Sequence, residues 1–333
     1  MFGRDIGIDL GTANVLIHVK GRGIVLNEPS VAAVDMKSGK IVAIGQEAFD
    51  MAGRTPDNIT AVRPLKDGVI ADFDKTEKML KHFLDKINVK SMFGKPRVLI
   101  CCPAQTGTVE KKAIREAVEK IGAKEIYLEE EPKVAAIGAG IDINQPVGSM
   151  IIDIGGGTTD IAVISMGTIV ASETVKKAGD HLSSAIAYYI KRKHQLLVGE
   201  RTAELIKMNI GSVCPEGRDE TMNVRGRDTV NGLPRTVTIT SAEISGALLE
   251  TMRHIISSAT SVLERTPPEL SADIIDRGII ITGGGACLHG VDTLLSGELN
   301  VPVFIAEDPL SCVVNGTGKM LEQLDQLVKV KQR

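Results

Sequence analysis

The sequence predicts an α/β protein built as two duplicated halves around a central cleft. Three observations carry that fold class. A length of 333 residues corresponds to about two domains of ordinary size. Strand-like β-branched runs alternate with helical periodicities along the chain, as expected for sheets covered by helices. One strand–turn–strand pattern with the same turn chemistry occurs twice, Asp9 with Gly11 and Asp153 with Gly155, at an offset of 144 residues.

The elements follow in order. Asp5 to Val19 is β-branched and apolar except at Asp9-Leu10-Gly11-Thr12, which reads as two strands joined by a tight turn. Asp74 to Ile87 reads as a helix: Asp74 and Glu77 have capping-box spacing, and Met79, Leu80, Phe83, Leu84 and Ile87 share one face. Arg97 to Cys102 is a buried strand ended by Pro103, and Val109 to Ile121 a helix closed by Gly122. Ile126 to Leu128 is a short strand. Pro132 to Ala139 is a short helix, with Pro in the first turn, where its missing N–H costs nothing. Met150 to Ile164 repeats the opening pattern. Helices over Asp180–Gln195 and Thr202–Ile210 come next, then a strand at Thr236–Thr240 and a long helix over Ser241–Leu263. Gly278 to Thr282 is a strand running into Gly283-Gly284-Gly285. No low-complexity linker divides the halves.

Composition excludes several functions. Lys and Arg number 39 against 42 Asp and Glu, a net charge of −3, which argues against nucleic acid as the main partner. Six Phe, three Tyr and no Trp are too few rings for stacking platforms. The five cysteines include no C-x-x-C, and Cys101 and Cys102 extend the apolar run Val98-Leu99-Ile100. Neither a disulfide framework nor a zinc site is indicated, and a reducing compartment is expected. No uninterrupted apolar stretch reaches about 18 residues, and Asp5 and Asp9 break any signal-peptide core. A cytoplasmic protein is expected, one still able to lie on a membrane surface.

The Asp-x-Gly turns carry the first chemical signal. A hairpin tip of small residues leaves backbone N–H groups pointing at an anion, and glycine lets the backbone approach without a Cβ clash. The preceding carboxylates, Asp9 and Asp153, are placed to hold magnesium through its waters. One such turn alone is equally an ordinary hairpin; two related by a repeat would clamp a polyphosphate from both sides. Gly283-Gly284-Gly285 could pack flat against a nucleoside or simply permit close packing. Neither Rossmann nor P-loop spacing fits, although Gly316-Thr317-Gly318-Lys319 resembles a P-loop fragment lacking its upstream glycine. Glu204 and Lys207, three apart, share a helix face; alone they read as a solvated charge pair. Glu129-Glu130-Glu131 reads as a solvated acidic run, but Glu131 directly precedes Pro132 and could orient or deprotonate a water. Met92 and Phe93 sit in a loop collared by Lys90, Lys95 and Arg97. Such a tip suits an anionic membrane, unless the Phe tucks into the core.

The order of these pieces resembles the two phosphate loops and the adenosine loop of the superfamily of actins, heat-shock chaperones and sugar kinases. Gly7-Ile8-Asp9-Leu10-Gly11-Thr12-Ala13-Asn14, Asn27-Glu28-Pro29-Ser30, Arg63-Pro64-Leu65-Lys66-Asp67-Gly68-Val69-Ile70-Ala71-Asp72, Gly199-Glu200-Arg201-Thr202-Ala203-Glu204 and Thr266-Pro267-Pro268-Glu269-Leu270 narrow it to the MreB/Mbl family of bacterial actins. Arg225-Gly226-Arg227-Asp228 and Asp160 after two threonines look closer to the Mbl branch. The resemblance spans essentially the whole chain.

It implies an actin-like ATPase fold with ATP and Mg2+ as cofactors. Subdomain IA would be 1–32, 66–145 and 315–333, and IB 33–65. IIA would be 146–181 and 246–314, and IIB 182–245. Thr12, Ala13 and Asn14 would hold phosphates from one side and Gly156, Gly157 and Thr158 from the other. Gly283, Gly284, Gly285, Ala286 and Cys287 would carry the adenosine, and Glu204, Leu205, Ile206 and Lys207 would reach the ribose. Glu131, helped by Thr158, would be the hydrolytic residue, and Met92-Phe93 a membrane-insertion loop. The family further implies slow hydrolysis, antiparallel paired protofilaments on the inner face of the cell membrane, and membrane partners of the cell-wall elongation machinery that sets rod shape. A small-molecule kinase is the competing reading, but no Asp beyond the phosphate loops is placed to serve a substrate hydroxyl. A chaperone would need a peptide-binding domain, for which the chain leaves no room.

Overall fold

The computed structural model describes residues 5–87, 96–123, 125–214 and 218–331, with backbone alone over 324–331. In chain order the first half comprises β1 (Ile6–Leu10), β2 (Asn14–Val19), β3 (Gly23–Pro29), β4 (Ala32–Asp35), β5 (Ile41–Ile44), α1 (Gln46–Met51), β6 (Ile59–Val62), β7 (Leu65–Lys66), β8 (Val69–Ile70), α2 (Phe73–Lys86), β9 (Arg97–Cys102), α3 (Thr108–Lys120), β10 (Glu125–Glu130) and α4 (Glu131–Gly138). The second comprises β11 (Ser149–Ile154), β12 (Thr159–Ser165), β13 (Thr168–Val175), α5 (Gly179–His194), β14 (Leu196–Leu197), α6 (Glu200–Ile210), β15 (Thr221–Asp228), β16 (Pro234–Thr240), α7 (Ser241–Glu264), α8 (Pro268–Arg277), β17 (Ile279–Thr282), α9 (Val291–Leu299) and β18 (Val303–Ile305). α10 (Cys312–Lys331) returns to the first half.

The duplication holds at the level of sheet topology. One five-stranded sheet runs β10-β9-β1-β2-β3 and the other β18-β17-β11-β12-β13. In each, the first two pairings of the hairpin strands are antiparallel and the remaining two are parallel. Smaller three-stranded sheets, β5-β4-β6 and β14-β15-β16, stand one in each half.

The strands form where the expected β-branched runs lie. β11 and β12 are buried on both faces, which is why they read as continuous apolar runs rather than alternations. One core packs β11, β12, α5, α6 and α7 around fully buried Ile152, Ile186 and Ile255, and another packs α2 and α3 on β1 and β9. Each fully buried aliphatic side chain contributes roughly 1.5–3 kcal/mol. Cys101 and Cys102 are buried and free, as expected of small hydrophobes.

A third core joins the halves. It gathers Leu99 and Cys101 of β9, Val134 to Ala136 of α4, Ile151 of β11, Ala162 of β12 and Leu321 of α10. α4 leads the chain from the first half into the second, and α10 brings it back. α10 packs closely at two glycines: a Cβ on Gly316 would lie 2.8 Å from the Val134 carbonyl carbon of α4, and one on Gly318 2.7 Å from the His18 ring of β2. The Gly316–Lys319 stretch, which only resembled a P-loop fragment, is therefore the inner face of a helix, where glycine serves close packing.

Two expected details change. The first long helix starts at Phe73, and its cap is Asp72, whose side chain accepts from the Lys75 N–H. Asp72 is in the extended conformation an N-cap requires, whereas Asp74 already lies in the first turn. The strand expected at Ile126–Leu128 extends over Glu125–Glu130, because every residue pairs with β9.

Candidate functional site

The tips of the two duplicated hairpins meet. A Cβ on Gly156 would lie 2.6 Å from the Ala13 Cβ, and one on Gly157 2.6 Å from Thr12 Oγ1. A larger residue at either position would hold the loops apart. The Gly155 amide is spent inside its own turn, donating to Thr158 O at 2.9 Å. Any N–H offered to an anion at this tip must therefore come from its neighbours. Asn14 is the exposed first residue of β2, opposite Pro29 on β3.

A third loop, unassigned from sequence, closes on the same spot. The Gly68 N–H donates to Thr12 Oγ1 at 3.1 Å, and a Cβ on Gly68 would lie 2.8 Å from Thr158 Cγ2. Asp67 and Gly68 both have positive φ, 50° and 74°. The Asp-Gly dipeptide signals a turn, but nothing in it announces where the turn lands.

Acidic groups line the floor. Asp9 comes from β1, Asp153 from β11, Asp160 from β12, and Glu131 opens α4. Burial pushes the Asp9 carboxyl up to about 7. Burial, then the charges of Asp9 and Asp160, push Asp153 up to about 8. Glu131 stands well above its ordinary value, through burial first and then Asp160, Asp9 and Asp153. Its neighbours in the acidic run turn to other partners: Glu129 lies 3.7 Å from Lys133 and Glu130 4.0 Å from Lys111. The run thus divides into two surface ion-pair members and one residue of the floor.

Among the described residues, no basic group stands among those that shift the floor carboxyls Asp9, Glu131 and Asp153. A hard hydrated cation fits such a floor, with Asp9 and Asp153 at equivalent positions of the two hairpins. Among the described residues no three His, Cys, Asp or Glu side chains converge to chelate a metal directly, and a hard cation such as magnesium ordinarily keeps several of its waters.

The second half supplies a wall. Lys207 Nζ donates to Gly179 O at 3.0 Å and pairs with Glu204 at 2.7 Å. Ser183 Oγ donates to the same Glu204 carboxylate at 2.6 Å. The Asp180 N–H donates to Gly156 O at 2.8 Å, so the start of α5 is tied to the second loop. The Glu204–Lys207 pair is thus a structural tie, and not the solvated pair its spacing alone suggested. Leu205 is exposed beside it, but Ile206 is fully buried in the core, as is Ala286. Their side chains are spent on packing, and only backbone remains at these two positions to face a ligand. Gly283 and Gly285 abut the end of β11, with would-be Cβ atoms 2.7 Å from the Ile154 carbonyl carbon and Cβ. Gly284 opens a 3-10 turn that ends at Cys287, which is exposed. Cys287 lines a groove of about 590 Å3 with Cys214, Leu288 and Asp292.

One ion pair spans the opening, and one further hydrogen bond braces the first loop from within its own half. Arg201 of α6 pairs with Asp50 of α1 at 3.2 Å and lies over the Phe49 ring. Arg63 Nη1 donates to Thr12 O at 3.4 Å. Both arginines sit inside motifs the sequence offered, but neither motif shows what its arginine contacts. Met92 and Phe93 lie outside the described residues.

A family model described as MreB/Mbl protein matches residues 3–329. The chain belongs to the MreB/Mbl family. Within it, the chain is 65% identical over 99% of both chains to the cell shape-determining protein Mbl of Bacillus subtilis. It is 51% identical to the cell shape-determining protein MreB of Escherichia coli, over 98% of this chain and 95% of that one. MreB 5 of Spiroplasma citri bound to AMPPNP superposes with a TM-score of 0.95 at 40% identity, covering 98% of each chain. The MamK double helical filament shares the fold, with a TM-score of 0.82 at 23% identity over 96% of this chain and 98% of that one. The fold is thus the actin-like one the family implies.

Proposed function

We propose that this member of the MreB/Mbl family is an ATP-dependent filament protein of cell shape. The observation that supports it is the meeting of the two duplicated loops at Thr12–Ala13 and Gly156–Gly157 over a carboxylate floor. A polyphosphate between them takes backbone donors from both halves, so binding draws the halves together. Relatives of the family carry cell-shape names, and the Spiroplasma citri neighbours are bound to AMPPNP and to ADP. When bound, Mg2+ would neutralise phosphate charge above Asp9 and Asp153. Glu131, kept basic by its burial among other acids, takes a proton from the attacking water, and Thr158 orients that water. Hydrolysis is slow and acts as a timer. Closed monomers assemble into paired protofilaments, which lie on the inner face of the cell membrane through Met92 and Phe93 and organise the wall-elongation proteins. The kinase reading is not favoured, since the close relatives are cell-shape proteins.

Sedimentation and electron microscopy on anionic liposomes, with and without ATP and Mg2+, test this. Filaments should pellet with ATP and float with the liposomes, because linked monomers bind by avidity where one binds weakly. Replacing Met92 and Phe93 with Ser should release the polymers while ATP binding persists. A protein that binds ATP but stays monomeric, with or without lipid, would defeat the proposal.

A further inference from the structure

Asp153 faces Asp160 across the β11–β12 hairpin, whereas Asp9 faces Leu16 at the equivalent place in the β1–β2 hairpin. The duplicated architecture accepts an apolar side chain there, so the fold does not demand the second carboxylate. Asp160 is nevertheless 1% exposed, and a buried acid is costly unless its oxygens are satisfied. Donors from three segments satisfy it. The Ala104 N–H donates to Asp160 Oδ1 at 2.9 Å and Thr174 Oγ1 at 2.7 Å. The Thr158 hydroxyl also reaches the carboxylate.

These donors come from different halves. Ala104 lies in the turn after β9, closed by Thr106 N–H donating to Pro103 O at 3.1 Å. Thr174 belongs to β13, and Thr158 to the second phosphate loop. Gln105 strengthens the same seam: its N–H donates to Thr174 Oγ1 at 3.3 Å and its Nε2 to Ser172 O at 3.2 Å. One buried carboxylate therefore ties the first half to the residue proposed to orient the water.

We infer that Asp160 is a positioning residue that makes ATP hydrolysis depend on closure of the two halves. An ionised carboxylate only accepts, so the Thr158 hydroxyl donates to it and turns its lone pairs toward the reacting space, where they accept from water. The Ala104 N–H fixes how closely the first half, which carries Glu131, approaches that hydroxyl. Opening the halves stretches this tie and moves Thr158 off the water. The inference rests on the ATP-hydrolysis reading above.

Ala104→Pro and Thr174→Val each remove one donor and leave Asp160 in place. Ala104 is the second residue of its turn, a position that favours proline, and Val has nearly the shape of Thr. Calorimetry with ATP–Mg2+ and single-turnover hydrolysis on the full chain read the effect. Both variants should keep ATP affinity within about threefold while hydrolysis slows roughly 10- to 100-fold, the scale of a misplacement near 1 Å. Thr174→Ser, which keeps the hydroxyl, should hydrolyse near the parent rate. Parent-like hydrolysis in both donor-deleted variants would overturn the inference. So would equal losses of affinity and rate, or a Ser variant as slow as Val. Thermal melting identifies a variant that fails to fold, and the other then decides. A parent protein that neither binds nor hydrolyses ATP would defeat the functional reading and this inference together. A working parent with unaffected variants defeats the inference alone.

Discussion

Gly157 packs against Thr12 so closely that a Cβ on the glycine would lie 2.6 Å from the threonine Oγ1 and 2.9 Å from its Cβ. The contact joins the two halves where their equivalent hairpins turn, so its size sets how far they can close. Gly157→Ala should therefore wedge the loops apart, and Gly156→Val should do so more strongly against Ala13. Calorimetry should show ATP affinity falling at least about tenfold, an energy near 1.4 kcal/mol, with little change in thermal stability. Parent affinity in both variants would mean the loops do not grip a ligand together.

Glu131 and Glu129 are two residues apart yet have separate surroundings. Glu131→Ala should slow ATP hydrolysis by about 10²–10⁴-fold, the usual worth of a positioned base, and change ATP binding far less. Its filaments should persist longer. Glu129→Ala, which removes only a pairing with Lys133, should hydrolyse at the parent rate. Equal rates for all three proteins in a phosphate-release assay would return the acidic run to a solvated face.

Arg201 and Asp50 close the mouth of the cleft at its solvent edge. Exposed pairs of this kind contribute roughly 0.2–1 kcal/mol, so Arg201→Ala should speed nucleotide release about 1.5- to 5-fold. Stopped-flow measurement with a fluorescent nucleotide reads it directly. Melting temperature should stay within error, because neither side chain is part of a core.

The Asp72 cap gives a pH signature. Its hydrogen bonds with Lys75, opposed by slight burial, hold the carboxyl below its ordinary value of 3.8. A depressed folded-state value adds stability that is complete above the ordinary value and is lost as pH falls through the lower one. Asp72→Ala should cost about 1 kcal/mol at neutral pH, as N-cap losses do. The gap between parent and variant should narrow only below the ordinary carboxylate range. Denaturant melts at several pH values would show it, and a gap that is flat into strong acid would remove the cap from the account.

The hairpins were legible in the sequence because their strands are buried on both faces, so Ile151, Ile152, Ile161 and Val163 announce themselves without context. Glu131 was legible because Pro132 fixes the helix start beside it. The stretch from Gly23 to Ile70 was not. Its strands are short, most of them are partly exposed, and one pairing skips a strand and a helix, β4 with β6. Gly68 and Asp160 escaped for a related reason. Each is locally ordinary, a turn glycine and a strand acid, and acquires its place only through a partner from another segment. Ile206 shows the converse: its neighbours Glu204 and Lys207 face α5, where they meet Ser183 and Gly179, but helical geometry turns the residue between them into the core.

α10 packs on β1 and β2, with Thr317 pressed against Gly7 some 310 residues upstream. Ribosomes add about 5–20 residues per second, so the opening hairpin waits on the order of fifteen seconds to a minute for the helix that covers it. During that interval the face of the hairpin that meets α10 at Gly7 and His18 has no native cover, although α2 and α3 can already pack on its other face. The N-terminal half is made first and completed last, and a nascent chain stalled before α10 would display β1 and β2 as an unfinished surface for the quality-control machinery to bind.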